Sequence, residues 1–231
     1  MAAQPTLFII SSDRARTGKT LLARALVDFL LTEERDPFCF DLAYPEGGLR
    51  AYFPGRTALI NFPQEEARRK LFGIVLTRTG RDYVIDLPAR HLASFCEAAV
   101  SAGFFAAARD KGFRIAIIFL VGRDEKSLRT ALDVVEILLP DIFVPAANRF
   151  VGSALPPGIA GPVLTLEKLD PDLFAIVSNR RFSLRLFMLG DETAVPLRLR
   201  PHLKTFLAVL ASGYRELEPA LSVTRLRRGQ G

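Results

Sequence analysis

Short apolar runs alternate along the chain with longer stretches in which apolar residues recur at helical spacing. The short runs are apolar on both sides of the strand alternation, as in a parallel sheet covered on both faces. The predicted strands are 6–11, 37–42, 81–87, 113–121, 141–147 and 162–166, and the predicted helices are 18–34, 63–79, 89–111 and 124–139. Strands that alternate with helices predict an α/β fold with a doubly wound, mostly parallel sheet and helices on both faces.

The predicted helix 124–139 has the clearest periodicity. Asp124 is a suitable first residue, and Pro140 ends the helix because proline cannot continue it. Its apolar face consists of Leu128, Leu132, Val135 and Leu139. This pattern predicts a helix that lies on the sheet with that face inward.

The last third of the chain is less regular. We predict a strand at 182–188, a C-terminal helix at about 200–218 and a short basic tail at 225–231. The Gly/Pro-rich connection at 152–162 is too short to separate two domains. Because no internal repeat interrupts the pattern, residues 1–231 are predicted to form a single domain.

Composition adds limits on location. No run of about 18 apolar residues occurs, so no membrane span is expected. The first residues, MAAQPT, contain no basic region followed by an apolar segment, and we therefore expect a cytoplasmic protein. Cys39 falls in a predicted strand and Cys96 in a predicted helix, which predicts two reduced, buried thiols rather than a disulfide.

The segment that ends in Gly18, Lys19 and Thr20 carries the strongest chemical signal. An apolar strand leads into a polar turn, the three residues close the turn, and an apolar helix-forming stretch follows. This arrangement is typical of a phosphate-binding loop, in which backbone N–H groups face the anion, lysine reaches the outer phosphates and threonine binds Mg²⁺. The full pattern G-x-x-x-x-G-K-[ST] has glycine at position 13, where this chain has Asp13.

Polar residues follow three of the predicted strands. Asp41, Asp86 and Asn148 should emerge at the same sheet edge as Lys19, because parallel strands end on one side. Two carboxylates beside a phosphate require a cation between them, which predicts Mg²⁺. The amide of Asn148 suits the edge of a purine base. Each of these residues can instead be a simple cap or turn residue.

With these motifs in place, the chain resembles the MinD/ParA family of P-loop ATPases. Residues 13–20 lie opposite the family's deviant Walker A loop, G-K-G-G-x-G-K-[ST], and 40–49 are similar to its D-x-D-P-Q-G segment. Residues 84–88 are similar to the Walker B strand, and 147–150 resemble the strand end whose asparagine reads adenine. These stretches span roughly 5–150, and the layout of the last third resembles the conjugative-transfer branch.

The resemblance implies a P-loop NTPase fold, ATP and Mg²⁺ as cofactors, and a role for each motif residue. Lys19 would bind the β- and γ-phosphates, Asp41 would position or activate the attacking water, and Asp86 would hold the metal through water. Metal ligation is thus assigned to Thr20, Asp41 and Asp86. The nucleotide-binding set consists of Asp13, Arg14, Ala15, Arg16, Thr17, Gly18, Lys19, Thr20, Leu21, Asn148 and Arg149.

Members of the family form ATP-sandwiched dimers, in which a lysine early in the loop crosses to the partner's phosphates. Arg14 occupies that position and is assigned, with Lys19 and Asp41, to the catalytic set. An arginine there can bind phosphate oxygens bidentately, or it can be an ordinary surface residue. The resemblance therefore implies a homodimer that forms when ATP binds.

The chain departs from the family in the same loop. Ala15 and Arg16, like Asp13, replace family glycines, and Ala43 replaces the aspartate that follows Asp41 by two positions. The side chains of Ala15 and Arg16 must point away from the nucleotide if the backbone is to approach it. These changes predict ATP binding with altered affinity or slow turnover.

Three functions remain open at this stage. The first is a nucleotide-controlled dimerisation switch, an ATPase that acts with an unidentified protein partner in partitioning, positioning or transfer. The second is an ATP-dependent carboxylate-activating enzyme of the dethiobiotin synthetase kind, and the third is an interaction module with a degenerate P-loop. ATP-dependent dimerisation would favour the switch, and hydrolysis stimulated by a small carboxylate would favour the carboxylate-activating enzyme. An absence of nucleotide binding would favour the interaction module.

Contact with DNA or a membrane surface is an additional alternative without a specific motif. The formal charge is +6 and arginine predominates, which suits anion binding but also follows from genome composition. Candidate basic positions are Arg180, Arg181, Arg198 and Arg200. The apolar face of the C-terminal helix, with Leu203, Phe206, Leu207 and Leu210, can bind a membrane or pack on the sheet.

Overall fold

The computed structural model describes residues 4–153, 155 and 161–228, without the side chains of 218–228. The strands are β1 (Thr6–Ser11), β2 (Phe38–Asp41), β3 (Thr57–Leu59), β4 (Tyr83–Asp86), β5 (Arg114–Leu120), β6 (Ile142–Asn148) and β7 (Leu164–Leu166). The helices are α1 (Lys19–Thr32), α2 (Glu65–Thr77), α3 (Leu92–Ser101), α4 (Phe104–Asp110), α5 (Glu125–Leu138), α6 (Pro171–Ser178), α7 (Leu184–Met188) and α8 (Arg200–Arg228).

These strands form one sheet in the order β3-β2-β4-β1-β5-β6-β7, and every pairing is parallel. The chain starts at the centre with β1, moves outward to β3, returns to β4 and then crosses to the other side of β1. In such sheets, ligands bind where the direction of winding changes, outside the carboxyl ends of the strands. Here that place is the end of β1, from which the Gly-Lys-Thr loop leads into α1.

Two apolar cores cover the two faces of the sheet. Phe8 and Ile10 of β1 face the core that contains α1, α6, α7 and α8. Leu7 and Ile9 face the core that contains α2, α3, α4 and α5. Because the central strands are buried on both faces, they consist of continuous apolar runs. The predicted doubly wound α/β fold with helices on both faces is confirmed.

The strand predicted at 182–188 is wrong, because the structure has the short helix α7 there. The Ser183 side chain accepts a hydrogen bond from the backbone N–H of Leu186 at 3.1 Å and caps the helix. Leu184 and Phe187 are buried three positions apart, on one helical face. The alternation of apolar and polar residues was therefore a short helical pattern.

Two other predicted elements differ in detail. The stretch predicted as one helix over 89–111 is divided by Gly103, whose φ of 57° begins α4 after α3 has ended. In α5, the predicted inward face is wrong by about a quarter turn, since Leu132 and Leu139 are exposed. The residues of this helix that are buried are Ser127, Ala131, Val134 and Leu138.

The C-terminal helix packs on the sheet as far as side chains are described. Leu203, Phe206, Leu207 and Leu210 are all buried in the core around α1, which favours packing over a membrane-binding face. The helix continues to Arg228, beyond the predicted end near 218, so that 225–228 are helical. Residues 229–231 of the predicted basic tail lie outside the described residues.

Two predictions from composition can also be compared with the structure. Cys39 and Cys96 are buried and free, as predicted. In the part of the chain that the structure covers, no individual helix has the length and apolar character of a membrane span. Among the described residues, two consecutive helical segments, Ala89–Ser101 and Phe104–Asp110, are together long and apolar enough, and they are bent by 59° relative to each other.

Candidate functional site

A cavity of about 460 Å³ opens at the carboxyl ends of the central strands, and we call it the cleft. One side, the loop wall, consists of Arg16, Thr17, Gly18, Lys19 and Thr20. Another side, the aromatic wall, consists of Phe150, Leu166 and Phe174. The cleft lies at the switch point of the sheet, the position expected for a ligand in this type of fold.

Gly18 gives the loop its shape. It has a φ of 97° and precedes the first residue of α1, where its carbonyl accepts a hydrogen bond from Leu22 N at 3.0 Å. A Cβ atom at this position would lie 2.6 Å from Nδ2 of Asn148. Both the backbone angle and the close approach therefore require glycine.

Lys19 is the first residue of α1, and its side chain is folded back over the loop. Its Nζ donates hydrogen bonds to the carbonyl of Arg14 at 2.6 Å and to Oγ1 of Thr17 at 3.3 Å. Burial lowers the pKa of the Lys19 ammonium, while the charges of Asp86 and Asp13 oppose that shift. A cation held by a loop carbonyl and a loop hydroxyl at a helix N-terminus is positioned to bind an anion that enters the loop.

Asp86 and Thr20 form the buried polar contact next to that lysine. Thr20 Oγ1 donates a hydrogen bond to Oδ2 of Asp86 at 2.7 Å. Burial raises the pKa of the Asp86 carboxyl to about 7, the Thr20 hydrogen bond and the Lys19 charge lower it, and the Asp41 charge raises it further. Asp41 and Asp86 are register partners on β2 and β4, and the charges of Lys19 and Asp41 both act on Asp86, but neither aspartate is among the residues that line the cleft.

Both carboxylate oxygens of Asp41, however, accept hydrogen bonds from the backbone of the segment that follows it. Its Oδ1 accepts a hydrogen bond from Ala43 N at 2.9 Å, and its Oδ2 accepts one from Arg50 N at 2.9 Å. The carboxylate is fully buried and closes the loop between these two residues. The same loop brings the backbone of Gly48 against Thr20, because a Cβ there would lie 3.1 Å from Oγ1 of that threonine.

Asp13 and Arg14, the first two residues of the loop, bind the N-terminus of α5. Asp13 Oδ1 accepts a hydrogen bond from Ser127 Oγ at 2.6 Å, and the same hydroxyl accepts one from Gly122 N at 2.6 Å. Arg14 forms an ion pair with Asp124, whose side chain also caps α5. Side-chain contacts thus hold the start of the loop against α5.

Ala15 and Arg16 are exposed, and that their side chains point away from a bound phosphate stays a prediction. Arg16 nevertheless adopts a φ of 58°, in the left-handed region that glycine favours. Its side chain lies at the rim of the cleft. Leu21 also lines the cleft, and its side chain packs against the core around α1.

Asn148 and Arg149 have different positions at the end of β6. The Asn148 amide donates from Nδ2 to the carbonyl of Thr17 at 2.8 Å and accepts at Oδ1 from Phe150 N at 3.0 Å. It therefore joins the end of β6 to the loop. Arg149 is directed to Glu167, with Nε 3.3 Å from the Oε1 carboxylate oxygen, and is not among the residues that line the cleft.

The aromatic wall was not predicted from the sequence. Phe150 lies in a single 3₁₀ turn after β6, and Phe174 lies on α6, a helix that was also not predicted. A signal for that helix is present, since Asp170 accepts a hydrogen bond from Asp172 N at 2.9 Å and Pro171 follows the cap. Nothing in the local sequence shows that the two rings meet.

Arginines of the predicted basic patch form ion pairs. Arg198 lies 2.6 Å from a carboxylate oxygen of Asp172, and Arg200 lies 3.4 Å from one of Glu192.

The described residues contain no group of three or more His, Cys, Asp or Glu side chains arranged to hold a metal ion. The Thr20–Asp86 pair is the arrangement that fits Mg²⁺, because it combines a hydroxyl with a buried carboxylate that lacks a full compensating charge.

Comparisons with known proteins identify the fold. No protein-family model and no curated protein sequence matches the chain. Among solved structures, a chain of the MinC:MinD cell division protein complex of Aquifex aeolicus is 16% identical with a TM-score of 0.56, over 92% of this chain and 95% of that one. This similarity shows a MinD/ParA-like P-loop fold, as the sequence predicts.

Two further solved structures are more distant. A plasmid partition protein of Borrelia burgdorferi is 13% identical with a TM-score of 0.44, over 91% of this chain and 100% of that one. A nucleotide-binding protein of Archaeoglobus fulgidus, in complex with ADP, is 11% identical with a TM-score of 0.44, over 76% of this chain and 86% of that one.

Proposed function

We propose that this chain binds ATP with Mg²⁺ in the cleft and acts as a MinD/ParA-like nucleotide-controlled switch in the cytoplasm, with slow hydrolysis. The observation that supports this proposal best is the convergence of Lys19, Thr20 and Asp86 on one loop. An ammonium, a hydroxyl and a buried carboxylate meet at the N-terminus of α1, beside a cavity of about 460 Å³. This is the set of groups that a triphosphate and its metal require.

The residues at the loop have separate tasks in this proposal. The backbone N–H groups at the start of α1 and the Lys19 ammonium bind phosphate oxygens, which replace the Arg14 carbonyl and the Thr17 hydroxyl as partners of Nζ. Thr20 and Asp86 would hold Mg²⁺, which supplies positive charge against the phosphates when bound. Asp13 remains fixed to Ser127, so its charge is kept in place rather than free in the loop.

Slow hydrolysis follows from the position of Asp41. Both of its carboxylate oxygens already accept backbone hydrogen bonds, and the carboxylate is fully buried. To position or activate a water molecule, Asp41 would have to release Ala43 N or Arg50 N, or share an oxygen with one of them. We therefore propose that Asp41 orders the loop after β2 first and assists hydrolysis only weakly.

The switch part of the proposal is dimerisation when ATP binds. The Arg14 side chain is 43% exposed at the entrance of the loop and is held by the acidic side chains of Asp13 and Asp124. An exposed ion pair is weakly held, so the guanidinium can exchange one acidic partner for the phosphates of a second copy. A protein partner of this dimer is part of the proposal, and its identity is open.

Calorimetric titration with ATP and Mg²⁺ tests the proposal most directly. We expect micromolar-range binding by the natural chain and a loss of roughly tenfold or more in Lys19→Ala, which corresponds to about 1.4 kcal/mol. Lys70→Ala, on the exposed surface of α2, is the matched control and should bind like the natural chain. Light scattering on the same samples then shows whether ATP increases the molecular mass.

The outcomes separate the three functions. Equal heats from the natural chain and Lys19→Ala contradict the proposal, and an absence of heat from both favours an interaction module with a degenerate loop. Binding without any increase in mass removes the switch but keeps the nucleotide site. Hydrolysis that appears only when a small carboxylate is added favours a carboxylate-activating enzyme.

A further inference from the structure

The aromatic wall contains two exposed rings that are stacked on each other. The centroids of Phe150 and Phe174 are 5.6 Å apart, and their planes differ by 7°. The two residues are 54% and 42% exposed. Exposed aromatic rings beside a cavity are typical of a binding surface rather than of core packing.

The stacked pair shares its cavity with the loop wall. Gly18, Lys19 and Thr20 line the same cleft as the two rings. A ligand with its phosphates at Lys19 therefore has a continuous path along the cavity to the aromatic wall. Its far end would meet an outer face of the stacked pair, in the part of the cavity that Leu166 also lines.

Two polar side chains near the rings, Asn148 and Glu167, are already engaged by the protein. The amide of Asn148 binds Thr17 O with its nitrogen and Phe150 N with its oxygen. The Glu167 carboxylate, which also lines the cleft, is paired with Arg149 at 3.3 Å. A base placed at this wall therefore meets the rings together with two polar side chains that already have protein partners.

We propose that Phe150 and Phe174 form a stacking platform for the base of a purine nucleoside triphosphate, and that stacking rather than base-edge hydrogen bonding selects the base. Adenine and guanine nucleotides then bind with similar affinity, and pyrimidine nucleotides bind more weakly because their rings cover less aromatic surface. Asn148 acts in this site as a positioning residue for the loop. This inference rests on the proposed nucleotide function, which it refines.

The test compares whole nucleotides with their phosphates alone. The full chain is titrated calorimetrically with the Mg²⁺ complexes of ATP, GTP, CTP and inorganic tripolyphosphate. Phe150→Leu and Phe174→Leu keep an apolar side chain but remove the aromatic ring. Phe174→Tyr keeps an aromatic ring at that position. Leu132→Ala, an exposed apolar position on α5 far along the chain from the cleft residues, is the control.

We expect the natural chain to bind ATP and GTP within about threefold of each other and CTP more weakly. Each leucine variant should lose between about fivefold and a hundredfold in affinity for ATP, the range that corresponds to stacking of one base. Tripolyphosphate binding should be unchanged in all variants. Phe174→Tyr and Leu132→Ala should bind ATP like the natural chain.

Four results would overturn the inference. Unchanged ATP affinity in both leucine variants removes the platform, and so does tripolyphosphate binding as tight as that of ATP, although the phosphate site then stands. A preference for ATP over GTP of more than about twentyfold shows that hydrogen bonds select the base. If no triphosphate compound binds the natural chain, the proposed function fails together with the inference.

Discussion

The loop wall is made by residues that follow one another in the chain, whereas the aromatic wall is assembled from segments that lie apart. Thr17, Gly18 and Lys19 are consecutive, and hydrogen bonds hold their backbone and side chains. Phe150 and Phe174 are separated by β7 and meet through ring stacking alone. The first wall is polar and largely buried, and the second is apolar and partly exposed.

This difference determines how each wall responds to a mutation. A buried polar group that loses its partner keeps the cost of its desolvation, so changes at the loop wall should affect both stability and binding. An exposed ring that is shortened leaves no buried group without a partner. Changes at the aromatic wall should therefore affect binding alone, which separates the two walls experimentally.

Gly18→Ala should have the largest effect on the loop wall. The new methyl group would lie 2.6 Å from Nδ2 of Asn148, at a residue whose φ is 97°. The left-handed backbone alone costs about 1–2 kcal/mol for a residue with a Cβ atom, and the clash adds to it. We expect a loss of more than 2 kcal/mol in urea unfolding, about 1–2 kcal/mol from the backbone and the rest from the clash, and loss of measurable ATP binding.

Gly80→Ala is the matched control for this change. Gly80 has a similar φ of 89°, but a Cβ atom there would meet no atom within 4 Å. It should show only the backbone cost and should bind ATP normally. If the two variants lose equal stability and both bind ATP, the Asn148 contact does not shape the loop.

Asp86→Asn should have the next largest effect, a gain in the free energy of unfolding that depends on pH. Because the pKa of Asp86 is raised from 3.8 to about 7, the folded protein retains a proton that the unfolded chain releases. The free energy of unfolding of the nucleotide-free protein should thus fall as the pH rises from about 4 to about 7. Asparagine carries no charge, so the variant should gain stability relative to the natural chain at pH 8, by about 1–4 kcal/mol.

Urea unfolding at pH 5 and pH 8 measures this difference. The gain should be small at pH 5, where the natural carboxyl is already protonated in the folded state, and Mg²⁺-dependent ATP binding should weaken. A gain of the same size at both values would mean that burial of the Asp86 charge is not its cause.

The sequence predicted the loop wall because the required chemistry is local. A strand, a polar turn, Gly18, Lys19 and Thr20 determine both the shape and the groups of the phosphate loop. Asp41 and Asp86 end neighbouring strands at one edge of the sheet, as expected for parallel pairing. The occupation of Asp41 by Arg50 N was not predictable, since it depends on the path of the loop after β2.

The aromatic wall and several elements depended on information that is not local. The strand β3 has only three residues, too few for a pattern, and it is defined by pairing with β2. In α5, the apolar arc is wider than the face that is buried, so the sequence could not show that Ser127 is fully buried while Leu128 is only partly buried against the core. That serine is inside because it binds Asp13 and Gly122.

Ser127→Ala should have an intermediate effect on the loop wall. The hydroxyl is fully buried and connects Gly122 N with Asp13 Oδ1, and both would lose this partner. We expect a loss of about 1–3 kcal/mol in the free energy of unfolding and weaker ATP binding. Ser94→Ala, which removes an exposed hydroxyl bound to His91 O at 3.2 Å, should change neither. Equal small losses in both would show that side-chain contacts to α5 do not hold the loop.

Arg16→Gly should have the smallest effect, and in the stabilising direction. Arg16 adopts a φ of 58°, which costs about 1 kcal/mol for a residue with a Cβ atom. Glycine removes that cost but gives the unfolded chain more freedom, so the net gain in urea unfolding should stay below about 1 kcal/mol. If the Arg16 side chain points away from the bound phosphates, ATP affinity should remain within about threefold.

Glu34→Gly makes the same backbone change outside the cleft, because Glu34 has a φ of 59° just after α1. Both variants should gain stability, and neither should lose affinity. If Arg16→Gly alone weakens ATP binding by more than about tenfold, the Arg16 guanidinium contacts the nucleotide. Arg16, which replaces a glycine of the family loop, would then bind the phosphates. The phosphate ligands of the loop wall would include this exposed side chain as well as the buried Lys19.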